Sequence, residues 1–415
     1  MRVFFQNLHL DPLSGEDSID TGAEEELFRD AGRQAAAQVL AQRWENSDSK
    51  EVGHCRKCGR RLRDLGLRKK GFQTLCGSMQ LRRRVGYCGN CHETTADLDE
   101  RLGADETGIT PGLRRVACRV ALELPYEATK LLLRDTLGFT PCSSREIERI
   151  ADKHGEEMDK LLYPSAVQSP QRAKRIYCLA IDGTMIPGLP DPQQHRVIWH
   201  EVKLATVFDP RKVEPSFYVA ALQDSETFGR RLWNEFCARG MNGDWLLQVL
   251  GDGAPWIWNL MDMHFPGVPQ LLDFYHAAEH LHQTAAALWS ETIANSWWHR
   301  RLDQLKTGNI DNFFAALKLI ARRYQTSDPA LSPERLLNYF EVNRDRLGYA
   351  RALKRKLPIG SGTVESAGRH IVQQRLKQSG MRWSLPGAQA VLNLRTHHRN
   401  GQFEQYWENT AVTGS

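Results

Sequence analysis

Three apolar runs of strand length, each delivering an aspartate, constrain the fold of this chain more than any other feature. Ile176 to Ile181 is short and rich in β-branched and aromatic residues, with Lys174 and Arg175 before it and Asp182-Gly183 after it. That is the pattern of a buried strand, which places Asp182 at its end. Trp245 to Gly251 repeats the pattern and delivers Asp252-Gly253; Val268 to Leu272 delivers Asp273. One Asp-Gly after a strand is ordinary turn chemistry. Three strands each ending on Asp are harder to attribute to turns alone.

A fourth carboxylate lies far downstream. Pro358-Ile-Gly-Ser-Gly362 is a breaker-rich loop, and Thr363 to Lys377 has helical character, with Glu365 in its first turn. The helix dipole alone favours an acid there. Convergence of Asp182, Asp252 and Glu365 would instead build a self-repelling cluster that divalent cations must neutralise. An all-oxygen set suits Mg²⁺ or Mn²⁺ rather than zinc. Two such ions about 3.5 to 4 Å apart suit phosphodiester displacement.

The order Ile-Asp182-Gly-Thr, Gly-Asp252-Gly-Ala-Pro-Trp-Ile-Trp, Asp273-Phe-Tyr-His276-Ala-Ala-Glu-His and Gly-Ser-Gly-Thr-Val-Glu365-Ser-Ala resembles the DDE transposases of bacterial insertion sequences. The continuation Gln373-Gln-Arg-Leu-Lys-Gln-Ser-Gly-Met-Arg-Trp383-Ser is similar to the ISKra family in particular. The resemblance covers roughly Lys174 to Arg395 and, by organisation, the cysteine region upstream. It implies an α/β fold: an RNase H-like mixed sheet flanked by helices, with a helical insertion, preceded by a zinc ribbon and a helical DNA-binding region. Asp182, Asp252 and Glu365 match the family's metal-binding triad, and Asp273-x-x-His276 its Cys/Asp-x-x-His motif. The implied function is binding of an element's terminal inverted repeats, metal-dependent strand cleavage and strand transfer. The implied partners are transposon-end and target DNA duplexes and at least a second copy of the protein.

The net charge of +5 conceals two basic islands on an acidic body. Residues 51 to 92 hold 11 Lys or Arg against Glu51 and Asp64, and residues 344 to 383 hold 10 against Asp345 and Glu365. Such islands are either solvated faces or polyanion contacts. The nine cysteines, an odd number, argue against a closed disulfide framework. No apolar run has membrane-spanning length and the start lacks a signal peptide's apolar stretch, so the expected location is the cytoplasm, at the nucleoid when DNA-bound.

In sequence order, residues 1–50 read as an N-terminal arm whose helix, Ala23 to Trp44, offers Leu27, Phe28, Val39, Leu40 and Trp44 for packing. Residues 51–95 read as a zinc ribbon. Cys55-Arg-Lys-Cys58 and Cys88-Gly-Asn-Cys91 can each offer two thiolates to one tetrahedral Zn²⁺, with Gly59 and Gly89 in the tight turns and strands within Thr74 to Val85. Arg60, Arg61, Lys69, Lys70, Arg82, Arg83 and Arg84 decorate it as candidate phosphate contacts. Residues 105–163 read as three helices, Pro111–Glu123, Tyr126–Leu137 and Ser143–Leu162, with a helix-turn-helix outline that presents Arg145 and Arg149. Tyr163 to Lys174 reads as a linker. Residues 174–275 and 357–400 would form the catalytic core and 276–356 the helical insertion. Beside the Glu365 helix, Arg369, Arg375, Lys377, Arg382 and Trp383 are candidate DNA contacts; Trp383 is equally a core anchor.

Two rivals stand against the transposase reading. One is a non-catalytic DNA-binding regulator on the same scaffold. The other is a zinc peptidase suggested by His276-Ala-Ala-Glu279-His280, a pattern too short to explain the aspartate-ended strands or the basic islands. His276 in the first reading is a DNA-positioning residue or a partner that tunes the metal site with Asp273.

Overall fold

The structure is a computed structural model whose described residues are 21–162, 177–241 and 245–412. Residues 1–20 of the expected arm, the expected linker and Ile176 lie outside them. The protein forms two compact units, Met1–His154 with Phe403–Ser415, and Gly155–Gln402.

The first unit is organised on a hairpin. Helix α1 (Thr21–Asn46) precedes β1 (Arg63–Thr74) and β2 (Gly77–Cys88), which pair antiparallel, and β3 (Glu93–Thr95) pairs with the end of β2. The segment expected to supply the ribbon strands contains the turn itself, with Leu75 and Cys76 at its tip. One hairpin face buries Phe72, Met79 and Leu81 against Leu98 of α2 (Asp97–Arg101), and Leu40 and Trp44 of α1 pack on that cluster. Leu27, Phe28 and Val39, expected to pack as well, are exposed. The last turn of α1 and the residues after it have another task. Glu45 and Asp48 accept the backbone N–H groups of Arg82 and Arg84 at 2.6 and 2.7 Å, satisfying a strand edge that the three-residue β3 leaves open. Helices α3 (Pro111–Ala121), α4 (Tyr126–Leu137) and α5 (Ser144–Leu162) lie where the apolar pattern expects them.

The second unit is α/β. Strands β4 (Tyr177–Pro190), β5 (Val197–Phe208) and β6 (Phe217–Ala221), helix α6 (Ser225–Ala238), β7 (Leu246–Gly251), α7 (Pro255–His264) and β8 (Gln270–Leu272) follow in sequence. They form one mixed sheet in the order β6-β5-β4-β7-β8, antiparallel across the first three and parallel across the last three. Tyr177 to Ile181 are all buried, as the continuous apolar run requires for a strand covered on both faces.

One expectation fails here. Asp182 does not end its strand: β4 continues to Pro190 because β5 pairs along it, with Asp182 opposite Leu204 and Pro187 opposite Trp199. Only the parallel neighbour β7 stops at this level.

After β8 come α8 (Phe274–Leu288), α9 (Glu291–Thr307), α10 (Ile310–Arg323), α11 (Pro333–Val342) and α12 (Tyr349–Lys354). Within α9, Trp298 donates its indole N–H to Ala278 O at 2.8 Å and serves packing. Helix α13 (Gly362–Ala367), a π-helical turn (Gly368–Gln373) and α14 (Gln374–Leu376) form the segment expected as one regular helix, followed by α15 (Leu385–Arg399), buried along most of its length. Helix α16 (Phe403–Val412) belongs to the first unit. Among the described residues no helix is long and apolar enough to cross a membrane.

Candidate metal centre and active site

In the first unit the sulfurs of Cys55, Cys58, Cys88 and Cys91 all lie within 4.8 Å of one another, with Cys55 to Cys91 at 3.8 Å and Cys58 to Cys88 at 3.5 Å. Four thiolates at about 2.3 Å from a tetrahedral zinc ion stand about 3.8 Å apart, so the donor set fits zinc. Each knuckle closes with the same bond: Gly59 N–H donates to Cys55 O at 2.8 Å and His92 N–H to Cys88 O at 2.9 Å. Both donors have positive φ, 72° and 57°. The second left-handed position is therefore His92, four residues after Cys88, and not the expected Gly89. Backbone N–H groups, that of Cys91 foremost, pull the Cys88 thiol down, whereas hydrogen bonding to Cys58 and then burial push Cys91 up. A cation is what lets all four ionise.

The basic residues of the ribbon divide. Arg60, Arg61, Lys69 and Arg82 are exposed. Lys70 and Arg83 both bind Asp99 of α2, at 3.1 and 2.8 Å, and Arg84 binds Asp64, so these three are engaged within the first unit. In α5, Arg145 is exposed, while Arg149 donates to Asp105 at 2.9 Å.

In the second unit, strand register brings three aspartates to one level. Ala180 of β4 pairs with Leu250 of β7, and Leu250 with Leu271 of β8. Two residues further along the chain stand Asp182, still within β4, and Asp252 and Asp273, each the first residue past the end of its strand. Parallel neighbours run about 4.8 Å apart, so the register delivers the three aspartates to one edge of the sheet. Burial, and next the charge of Asp252, push the Asp182 carboxyl up from 3.8 to about 6.

Asp273 is fully engaged. Buried at 3% exposure, it accepts His276 N–H with one oxygen at 2.7 Å and Ser361 N–H with the other. Phe274 N–H donates to Ile359 O at 2.9 Å, and Glu365 N–H to Ser361 O at 3.1 Å. Asp273 thus caps α8 and ties the Gly360-Ser361 loop, and with it the entry of α13, to the end of β8. Among the described residues Asp252 engages one carboxylate oxygen, which accepts Ala254 N–H at 2.9 Å in an Asx turn into α7.

Glu365 is exposed and its carboxylate binds Arg369 one turn on. Among the described residues the four cysteines alone bring three or more ligating atoms within 4.8 Å. Asp182, Asp252 and Glu365 are not drawn that close, and neither are His276, Glu279 and His280. The two histidines pair with each other, Nε2 to Nε2 at 3.1 Å.

The segment that follows Glu365 departs from the expected DNA face. Arg369, Lys377 and Arg382 are exposed, but Arg375 and Trp383 are 1% and 8% exposed. The Arg375 guanidinium lies 4.9 Å from the Trp383 ring centroid, and the indole donates to Leu376 O at 3.1 Å. Trp383 also exchanges backbone bonds with Pro187 and Leu189 of β4, so both residues anchor the core. Buried Arg395 of α15 reaches the π-helical turn, donating to Ile371 O at 2.8 Å and to His370 O. Sequence reading misses this residue, and misses Tyr339 of α11, whose hydroxyl donates to Asp252 O at 2.9 Å across 87 residues of sequence. Neither stands in a motif.

The protein matches no family model and no curated protein. Among solved structures it is similar to a component of the Drosophila P element transposase strand transfer complex, at 12% identity over 74% of this chain and 82% of that one, with a TM-score of 0.27. At that score the likeness carries no argument.

Proposed function

We propose that this protein is a DDE-type DNA transposase of the ISKra kind, which binds the terminal inverted repeats of its element and catalyses strand cleavage and strand transfer. The observation that carries the reading is the aspartate row: Asp182 within β4 and Asp252 just past the end of the parallel neighbour β7, near enough that, after burial, the Asp252 charge helps push the Asp182 carboxyl up to about 6. Carboxylates so placed fit a shared divalent cation better than they fit each other.

In this reading the five-stranded sheet is an RNase H-like core and α8 to α12 its helical insertion. Asp182, Asp252 and Glu365 hold two Mg²⁺ or Mn²⁺ ions, which when bound supply Lewis-acid chemistry to a phosphodiester displacement. Asp273 positions the Glu365 helix through Ser361. Exposed Arg369, Lys377 and Arg382, together with Arg60, Arg61, Lys69 and Arg82 of the zinc ribbon, hold phosphates. Water attacks the phosphodiester at the element's end and displaces a 3′-hydroxyl; that hydroxyl then attacks a target phosphodiester, and the new P–O bond forms as the target strand's own 3′-oxygen leaves. Synapsis of two ends calls for a dimer or larger assembly.

A second reading, a DNA-binding regulator without catalysis, is favoured by one observation: the Glu365 carboxylate rests on Arg369. Cleavage of a labelled duplex carrying the element's ends separates the two. Wild type with Mn²⁺ is expected to nick at the end, with Asp182→Asn and Glu365→Gln binding normally but cutting at least about 1,000-fold more slowly. A wild type that binds without cutting sinks the transposase reading.

A further inference from the structure

Resting on that reading, we infer that Tyr339, carried by the helical insertion, is the positioning residue that fixes the Asp252 turn for metal binding. Asp252 lies in a turn with a demanding backbone. Gly253 has φ +104°, a region L side chains avoid, and a Cβ there would stand 3.0 Å from Tyr339 Cε2 and 3.1 Å from Leu272. The Tyr339 ring therefore closes one side of the turn, and its hydroxyl satisfies the Asp252 carbonyl at 2.9 Å.

The hydroxyl is the donor of that bond. The ring is itself braced: His280 packs against it at 4.6 Å between centroids, and His280 pairs with His276 at 3.1 Å. A path of contacts thus runs from His276 and His280 of α8 through Tyr339 of α11 to the backbone of Asp252. Turning the Asp252 peptide would break the Tyr339 bond, so the helices between the sheet and Glu365 have a place in the site and are not a mere appendage.

The test is Mn²⁺ binding by the full-length protein, followed by the paramagnetic signal of free Mn²⁺, with Zn²⁺ already supplied to the cysteines. Tyr339→Phe keeps the ring and removes one neutral hydrogen bond, worth about 1 kcal/mol, so its Mn²⁺ affinity is expected to fall about 3- to 10-fold. Its melting temperature should stay within about 3 °C of wild type and its duplex binding should not change. Asp252→Asn is the reference for loss of the site. If Tyr339→Phe binds Mn²⁺ as wild type does while Asp252→Asn does not, the positioning role is overturned and the proposed function stands. If wild type binds no more Mn²⁺ than Asp252→Asn, the proposed function fails and this inference with it. A Tyr339→Phe protein whose melting temperature drops by more than about 10 °C assigns the residue a structural role instead.

Discussion

The cysteine cluster and the carboxylate row are both read as metal sites, yet one is assembled and the other is not. The four sulfurs already stand within 4.8 Å of one another, whereas Asp182 and Asp252 share a level and Glu365 rests on Arg369. The difference follows from charge and from sequence separation. Thiols can approach one another uncharged, and each knuckle is a local turn of four residues. Carboxylates ionise near neutrality and repel, and here they come from strands and a helix distributed from Asp182 to Glu365. A site of the first kind is a folding element; one of the second kind completes itself when cation and substrate arrive.

The largest test of this contrast is metal removal. Chelation of zinc, or Cys88→Ser, is expected to unfold the ribbon and abolish its contribution to duplex binding, since structural zinc is worth about 10 kcal/mol or more in small sites. Loss of hairpin signals in NMR or circular dichroism reports it. A ribbon that stays folded without metal breaks the comparison.

A smaller effect is expected at Asp182. Its folded carboxyl titrates at about 6 against an ordinary 3.8. The folded protein therefore holds more protons at this carboxyl between those values, so the contribution of Asp182 to stability is neutral below about pH 4, becomes unfavourable as pH rises from there to about 6, and is constant above. A two-unit shift corresponds to about 2 to 3 kcal/mol, and Asp182→Asn should recover it at pH 7 in metal-free protein while removing the stabilisation by added Mn²⁺. Thermal melts across pH 4 to 8 measure both. A variant less stable than wild type at pH 7 would mean that Asp182 is satisfied without a cation.

Arg369→Ala should do least. The pair is exposed, with side chains 60% and 65% accessible, and such ion pairs contribute about 0 to 1 kcal/mol. Metal-free melting should hardly move, and Mn²⁺ affinity in the absence of DNA should change less than about 5-fold. A larger gain would show that Arg369 actively withholds Glu365.

Strand and helix content is largely legible in the sequence because apolar periodicity is written locally: β7, β8 and α4 lie within a few residues of expectation. The cysteine cluster is legible because its ligands come in two adjacent pairs. What the sequence does not disclose depends on neighbours. Asp182 reads as the end of a strand, since nothing in Asp-Gly says that β5 pairs past it. Asp273 reads as a residue near a metal, but its two oxygens are taken by His276 and Ser361. Arg375 reads as a DNA contact and Trp383 equally as a DNA contact or a core anchor, since basic and aromatic residues beside a basic island give no sign that they stack on each other.

The π-helical turn after Glu365 bears on how that carboxylate is aimed. A π turn is an α-helix with one residue too many, the polypeptide analogue of a dislocation in a crystal. Each residue of an α-helix turns the backbone by about 100°, so the defect sets the angular phase between Glu365 on one side and Lys377 on the other. Arg395, seated on the carbonyls of His370 and Ile371, holds the backbone at that defect.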